Sequence, residues 1–155
     1  MKKVILIFII YFINSNVFAT ETKKAYFAGG CFWCMEETYD QVKGVISSVS
    51  GYSGGHLKNP KYEDVIYKNT GHVEVIEITY NPLIVSYENL LEVYWKNIDP
   101  FDAEGQFCDK GKSYRSVIFF ENRSQKELID KSFKEIEKKF DKKIVTLVWK
   151  FDIFY

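Results

Sequence analysis

One thiol is set among glycines and large aromatics in a way that offers more chemistry than any other stretch of the chain: Gly29-Gly30-Cys31-Phe32-Trp33, followed at once by Cys34-Met35-Glu36-Glu37. In front of it, Lys24 to Ala28 reads as a short strand. Behind it, Phe32 to Val42 lacks Gly and Pro and carries apolar side chains at helical spacing. The thiol therefore stands at a strand-turn-helix junction. Glycines permit a sharp turn and a close approach by another molecule, and the unpaired N–H groups and positive pole of a helix start favour a thiolate over a thiol. Cys31 reads as a nucleophile. A buried apolar patch is the competing reading, since free Cys, Phe and Trp are common core residues. Against it, adjacent aromatics at a helix start point in different directions and cannot all face one core.

The setting narrows the partner. A chain of 155 residues fits one domain, and 46% hydrophobic with 17% aromatic residues is ample for a core. Lys plus Arg equals Asp plus Glu, so the formal net charge is zero, and neither nucleic acid nor an anionic membrane is an expected partner. A small molecule or a protein side chain fits better. Residues 1–19 read as a secretory leader: Met1-Lys2-Lys3 is charged, Val4 to Ile13 is apolar but short for a membrane span, and Val17-Phe18-Ala19 is a cleavage site. The expected domain is then 20–155, exported to a periplasmic or extracellular compartment that is oxidising. Three cysteines, an odd number, leave at least one thiol free or exchanging.

Elements that could position Cys31 follow along the chain. Val45 to Ser50 reads as a strand entering a turn at Gly51-Tyr52-Ser53-Gly54-Gly55, and Asn59-Pro60 reads as the cap and first position of a short helix to Tyr67. His72 to Tyr80 alternates as a strand, with Val73, Val75 and Glu77 on one side and Glu74, Ile76 and Ile78 on the other. Ser86 to Ile98 is a helix and Tyr114 to Phe120 a strand. Ser124 to Phe140 is a helix whose predicted capping box pairs Ser124 with Glu127, and Lys143 to Val148 is a last strand. Strands alternating with helices around one sheet give an α/β or α+β domain, with a split β-α-β arrangement as the natural candidate.

Several further motifs complete a pattern in order: Gly51-Tyr52-Ser53-Gly54-Gly55, Asn59-Pro60-Lys61-Tyr62, Thr70-Gly71-His72-Val73-Glu74, Asp99-Pro100, Asp109 and Tyr114-Arg115-Ser116. From about Ala25 to Ser116 the sequence resembles the A-type peptide-methionine sulfoxide reductases. The resemblance implies an α+β sandwich with a mixed sheet and a split β-α-β, ferredoxin-like core. It also implies reduction of the S epimer of methionine sulfoxide, free or in proteins, to methionine. Cys31 would attack the sulfoxide sulfur, and Glu74 stands where the family keeps its proton donor. Tyr62 and Tyr114 match two hydroxyl donors to the sulfoxide oxygen, Phe32 and Trp33 match the cradle for the S-methyl group, and Asp109 matches a polar residue of the same site. Members of the family usually continue past Phe154-Tyr155 with an acidic tail containing Tyr and His.

Oxygen transfer would leave Cys31 as a sulfenic acid that a second thiol condenses to a disulfide. Cys34, three residues on, and Cys108, in the Gly105-Gln106-Phe107-Cys108-Asp109 loop, are both candidates, acting singly or in relay. No bound cofactor is expected; an external thioredoxin-like dithiol would recycle the enzyme, which is expected to be a monomer. Two other readings compete. A thioredoxin-like thiol-disulfide oxidoreductase would also use Cys31 and Cys34. A zinc module would draw on Cys31, Cys34, His56 and His72, at irregular spacing.

Overall fold

The computed structural model describes residues 21–155, so the expected leader at 1–19 lies outside the described residues. In chain order the elements are β1 (Lys23–Ala28), α1 (Phe32–Asp40), β2 (Val45–Ser53), α2 (Tyr62–Tyr67), β3 (Val73–Tyr80), α3 (Tyr87–Lys96), β4 (Gly105–Gln106) and β5 (Asp109–Lys110). A 3₁₀ turn (Lys112–Tyr114), β6 (Val117–Phe120), α4 (Arg123–Phe140) and β7 (Leu147–Lys150) complete it.

The main sheet has the order β2-β3-β1-β6-β7, antiparallel throughout except for the parallel pair β6/β7. β1 and β2 both run antiparallel to β3 and so run parallel to each other, joined through α1 with β3 between them. In the same way β3 and β6 are joined through α3 with β1 between them. Two interlocked split β-α-β units result, the expected α+β architecture. The strands at the centre are apolar on both sides because both faces are covered. Phe27, Ile76, Ile78 and Ile118 meet Tyr39, Leu90, Leu91, Tyr94 and Ile129 from the helices. Tyr26, Ala28, Val75, Val117 and Phe119 form a second cluster on the opposite face. Phe151 stacks on Tyr26 there at 3.7 Å, and Tyr155 exchanges two backbone hydrogen bonds with Tyr52, at 2.9 and 3.0 Å.

Several boundaries differ from expectation. β2 runs on through Gly51 and Tyr52 to Ser53, because pairing with β3 on one side and Tyr155 on the other satisfies a backbone that local glycine content alone would turn. The short helix starts at Tyr62: Asn59 takes a left-handed φ of 48°, and the Asp64 carboxylate reaches back 3.0 Å to the Lys61 N–H. α4 is capped by Asn122, whose Oδ1 accepts from the Gln125 N–H at 3.0 Å, so Ser124 falls inside the helix and Glu127 pairs with Arg123. Tyr114 belongs to the 3₁₀ turn preceding β6, and the last strand starts four residues later than predicted.

Candidate active site

Cys31 occupies the N-cap position of α1 with a non-helical ψ of 115°, and its carbonyl already accepts from the Cys34 and Met35 N–H groups at 3.1 and 3.2 Å. Gly30, at φ +87°, makes the turn out of β1. No side chain of the cap residue serves the helix start. A carboxyl group from the sheet takes that place: the Phe32 N–H donates to Glu74 Oε2 at 3.0 Å. One hydrogen bond thus ties the turn carrying the thiol to β3.

Glu74 is 2% exposed. The strand acid that a lysine holds is Glu77, partly buried further along β3, which binds Lys24 at 2.7 Å. Burial pushes the Glu74 carboxyl up to about 7; the Phe32 N–H opposes the rise and the Asp109 charge adds to it. Near neutrality this group holds a proton that it can give.

Three phenols surround it. Tyr52 is the cross-strand partner of Glu74. Because both its backbone groups are taken by Tyr155 on the outer edge, this is the closely spaced, non-hydrogen-bonded kind of pair. Burial first, then the nearby Glu74, raise the Tyr52 hydroxyl to about 12. Tyr114 is also raised, by burial and then by Glu74 and a hydrogen bond with Tyr62. The Tyr52 and Tyr114 hydroxyls stay protonated and are hydrogen-bond donors. The aromatic shelf is completed by Phe32, 5.2 Å from Trp33, and by Trp33, stacked on Tyr62 at 6.2 Å. Phe32 is buried, whereas Trp33 is 63% exposed, leaving a ring face open to a ligand.

All three cysteines are free; Cys31 is half-buried, Cys34 and Cys108 exposed. Partial burial of its sulfur, then hydrogen bonding to Cys31, push the Cys34 thiol up, so it faces Cys31 as a protonated donor. Cys108 lies at the tip of the β4/β5 hairpin, next to Phe107 at φ +49°. That hairpin is keyed into the site from behind. Gln106, 1% exposed, accepts from the Asp99 N–H at 2.6 Å and donates to the Asp99 carbonyl at 2.9 Å. A Cβ on Gly30 would come within 2.7 Å of the Gln106 Cβ.

The structure thus brings Cys31, Cys34, Phe32, Trp33, Tyr62, Glu74, Asp109 and Tyr114 into one neighbourhood, with Cys108 on the adjoining hairpin. Tyr52 and Gln106 are additions that sequence reasoning missed. The alternation Ser48, Ser50, Tyr52, continued through Gly51, is the signal for the first. For the second, the only signal is a Gln in an otherwise turn-like loop. The zinc reading fails at His72, whose Nδ1 accepts from the Gly55 N–H at 3.1 Å while Nε2 meets the Leu57 carbonyl at 2.7 Å. Among the described residues, no three acidic, His or Cys side chains form a metal-sized cluster.

A thiol at a helix start, a buried carboxylic acid and protonated phenols around an open aromatic shelf define a thiol-dependent oxidoreductase on a split β-α-β fold. The family model described as peptide methionine sulfoxide reductase matches residues 23–155. A relative from Streptococcus agalactiae serotype III (strain NEM316), named peptide methionine sulfoxide reductase MsrA, is 48% identical over 135 residues, covering 86% of this chain and 80% of that protein. Mxr1 from Saccharomyces cerevisiae in reduced form superposes with a TM-score of 0.80 at 28% identity, covering 88% of this chain and 80% of that one. The same yeast protein in complex with Trx2 shares the fold, with a TM-score of 0.64 at 24% identity and coverage of 88% and 81%. The chain belongs to the peptide methionine sulfoxide reductase family, A type. It is an oxidoreductase that returns methionine sulfoxide to methionine, and the thioredoxin-like alternative is not favoured.

Proposed function

We propose that the reaction proceeds on the S epimer with Cys31 as nucleophile and Glu74 as acid. The observation carrying this reading is the hydrogen bond from the Phe32 N–H to Glu74, which holds a protonatable carboxyl beside the thiol's own turn. The Cys31 sulfur attacks the sulfoxide sulfur while Glu74 protonates its oxygen, assisted by hydrogen bonds from Tyr62 and Tyr114. Methionine leaves with the electron pair, and the oxygen ends on Cys31 as a sulfenic acid. Phe32 and Trp33 hold the S-methyl group against ring faces, a contact sulfur compounds favour. Cys34 then attacks the sulfenic acid, releasing water and forming a Cys31–Cys34 disulfide, and Cys108 takes over that disulfide by exchange.

Two electrons must return from outside. The exposure of Cys34 and Cys108 supports a thioredoxin-like dithiol as donor; the complex with Trx2 is a property of the yeast protein. The charged start, apolar run and Val17-Phe18-Ala19 site support export and cleavage before Thr20. Mass spectrometry of the mature protein is then expected to begin at Thr20, and an intact Met1 in soluble cytoplasmic material would overturn export.

The experiment that tests the catalytic reading is Cys31→Ser, assayed with separated S and R epimers and an excess of dithiol. Folded mutant protein is expected to have no turnover, because a hydroxyl is a far weaker nucleophile toward sulfur, and wild type is expected to act on the S epimer only. More than trace S-sulfoxide reduction by the mutant would remove Cys31 from the role.

A further inference from the structure

Beside the active site runs a groove of about 550 Å³, between the Lys68–His72 loop on one side and Lys110 to Arg115 on the other. Tyr114 belongs to both: it lines this groove, and its hydroxyl feels Glu74 and Tyr62 within the site. Four cations line the groove, Lys68, Lys110, Lys112 and Arg115, and no Asp or Glu does. Two are committed elsewhere, since Lys68 pairs with Asp64 and Lys110 with Asp102. Lys112 and Arg115 form no ion pair among the described residues. Arg115 is nonetheless held in place: its Nε donates to the Lys112 carbonyl at 3.1 Å, and its guanidinium lies 5.9 Å over the Trp149 ring. A separate shallow hollow is acidic, lined by Glu36, Glu37 and Asp40 of α1 together with Trp33.

We infer that the Lys112–Arg115 groove receives acidic side chains of a protein substrate that flank the methionine sulfoxide held at the aromatic shelf. This rests on the proposed function and adds the substrate class to it. An extended polypeptide spans about 3.4 Å per residue, so a carboxylate one to four residues from the oxidised methionine reaches a groove that shares a wall with the site. Such a carboxylate meets two cations that have no internal acid to give up. A basic flank on that side meets two unpaired like charges. The same geometry leaves free methionine sulfoxide indifferent to the groove, because the free amino acid does not extend into it.

The test uses S-methionine sulfoxide peptides with Glu, Ala or Lys placed two to four residues to either side, with free methionine sulfoxide as reference. At low salt, kcat/KM is expected to be about two- to fivefold higher for Glu than for Ala on one side of the methionine, through KM, the size that exposed ion pairs give. The preference fades at about 1 M salt. Lys112→Glu is expected to abolish or invert it while turnover of the Ala peptide and of free methionine sulfoxide stays at the wild-type level. Equal kcat/KM for the Glu, Ala and Lys peptides at low salt would overturn the inference, as would an undiminished Glu preference in Lys112→Glu. A charge reversal that slows recycling by a thioredoxin-like donor but leaves the flank preference intact would hand the groove to the donor and overturn it as well. Failure of wild type to reduce even the Ala peptide would instead strike the proposed function, and the inference with it.

Discussion

Replacing Glu74 by Gln is expected to make the protein worse as a catalyst and better as a folded molecule. Gln keeps the oxygen that accepts from the Phe32 N–H but has no acidic proton, and general acid catalysis contributes about 10²–10⁴-fold. The gain in stability follows from the same burial. The carboxyl rises from 4.5 to about 7 on folding, and each unit corresponds to about 1.4 kcal/mol, so keeping it ionised in the fold costs roughly 3 kcal/mol. Between pH 4.5 and about 7 the folded chain holds a proton that the unfolded chain has lost, so stability falls as pH rises through that window and levels off above it. Gln carries no such penalty, although its buried amide N–H₂ needs partners and gives back about 1 kcal/mol. Denaturant titrations are expected to put the mutant about 1 kcal/mol below wild type near pH 4 and about 2 kcal/mol above it at pH 8. Single-turnover reduction of S-methionine sulfoxide is expected to fall at least a hundredfold in the mutant, and about tenfold per pH unit above 7 in wild type as Glu74 loses its proton. A mutant within threefold of wild type would place the proton elsewhere. Equal stabilities at pH 8 would show that the carboxyl is not penalised by burial.

The order of the two candidate resolving thiols is open to direct trapping. After one equivalent of sulfoxide without reductant, Cys108→Ser is expected to accumulate a Cys31–Cys34 disulfide. A Cys31–Cys108 bond forming at full rate in Cys34→Ser, with no Cys31–Cys34 species in Cys108→Ser, would reverse the order. Gly30→Ala puts a Cβ at φ +87° and against Gln106. It is expected to cost about 1–3 kcal/mol and to slow Cys108-dependent recycling more than the first turnover; an unchanged denaturation midpoint would refute this.

The long periodic segments were legible because their burial follows from spacing alone: α3 and α4 present apolar residues at helical intervals, and β3 alternates. Cys31 was legible because a helix start announces itself locally. Glu74 was not distinguishable from Glu77 by alternation, since what separates them is what covers each face of β3, and only the family pattern picked it out. Tyr52 and Gln106 carry only faint local signals for a similar reason. Each is defined by a partner brought up by the fold, Glu74 across the sheet for the first and the Asp99 backbone for the second. The cap of α4 was misassigned because Asn122 and Ser124 are both good caps and the local signal does not rank them.

The interlocking of the two split β-α-β units bears on how this enzyme fails. β3, which carries Glu74, lies between the strands that α1 connects, so parting the acid from the thiol's turn means withdrawing an inner strand from the sheet. The Phe32 amide, bonded to that acid, is therefore expected to exchange its hydrogen close to the global unfolding limit rather than through local opening. The hairpin bearing Cys108 has only two residues to a strand, and its amides are expected to exchange well before the Phe32 amide.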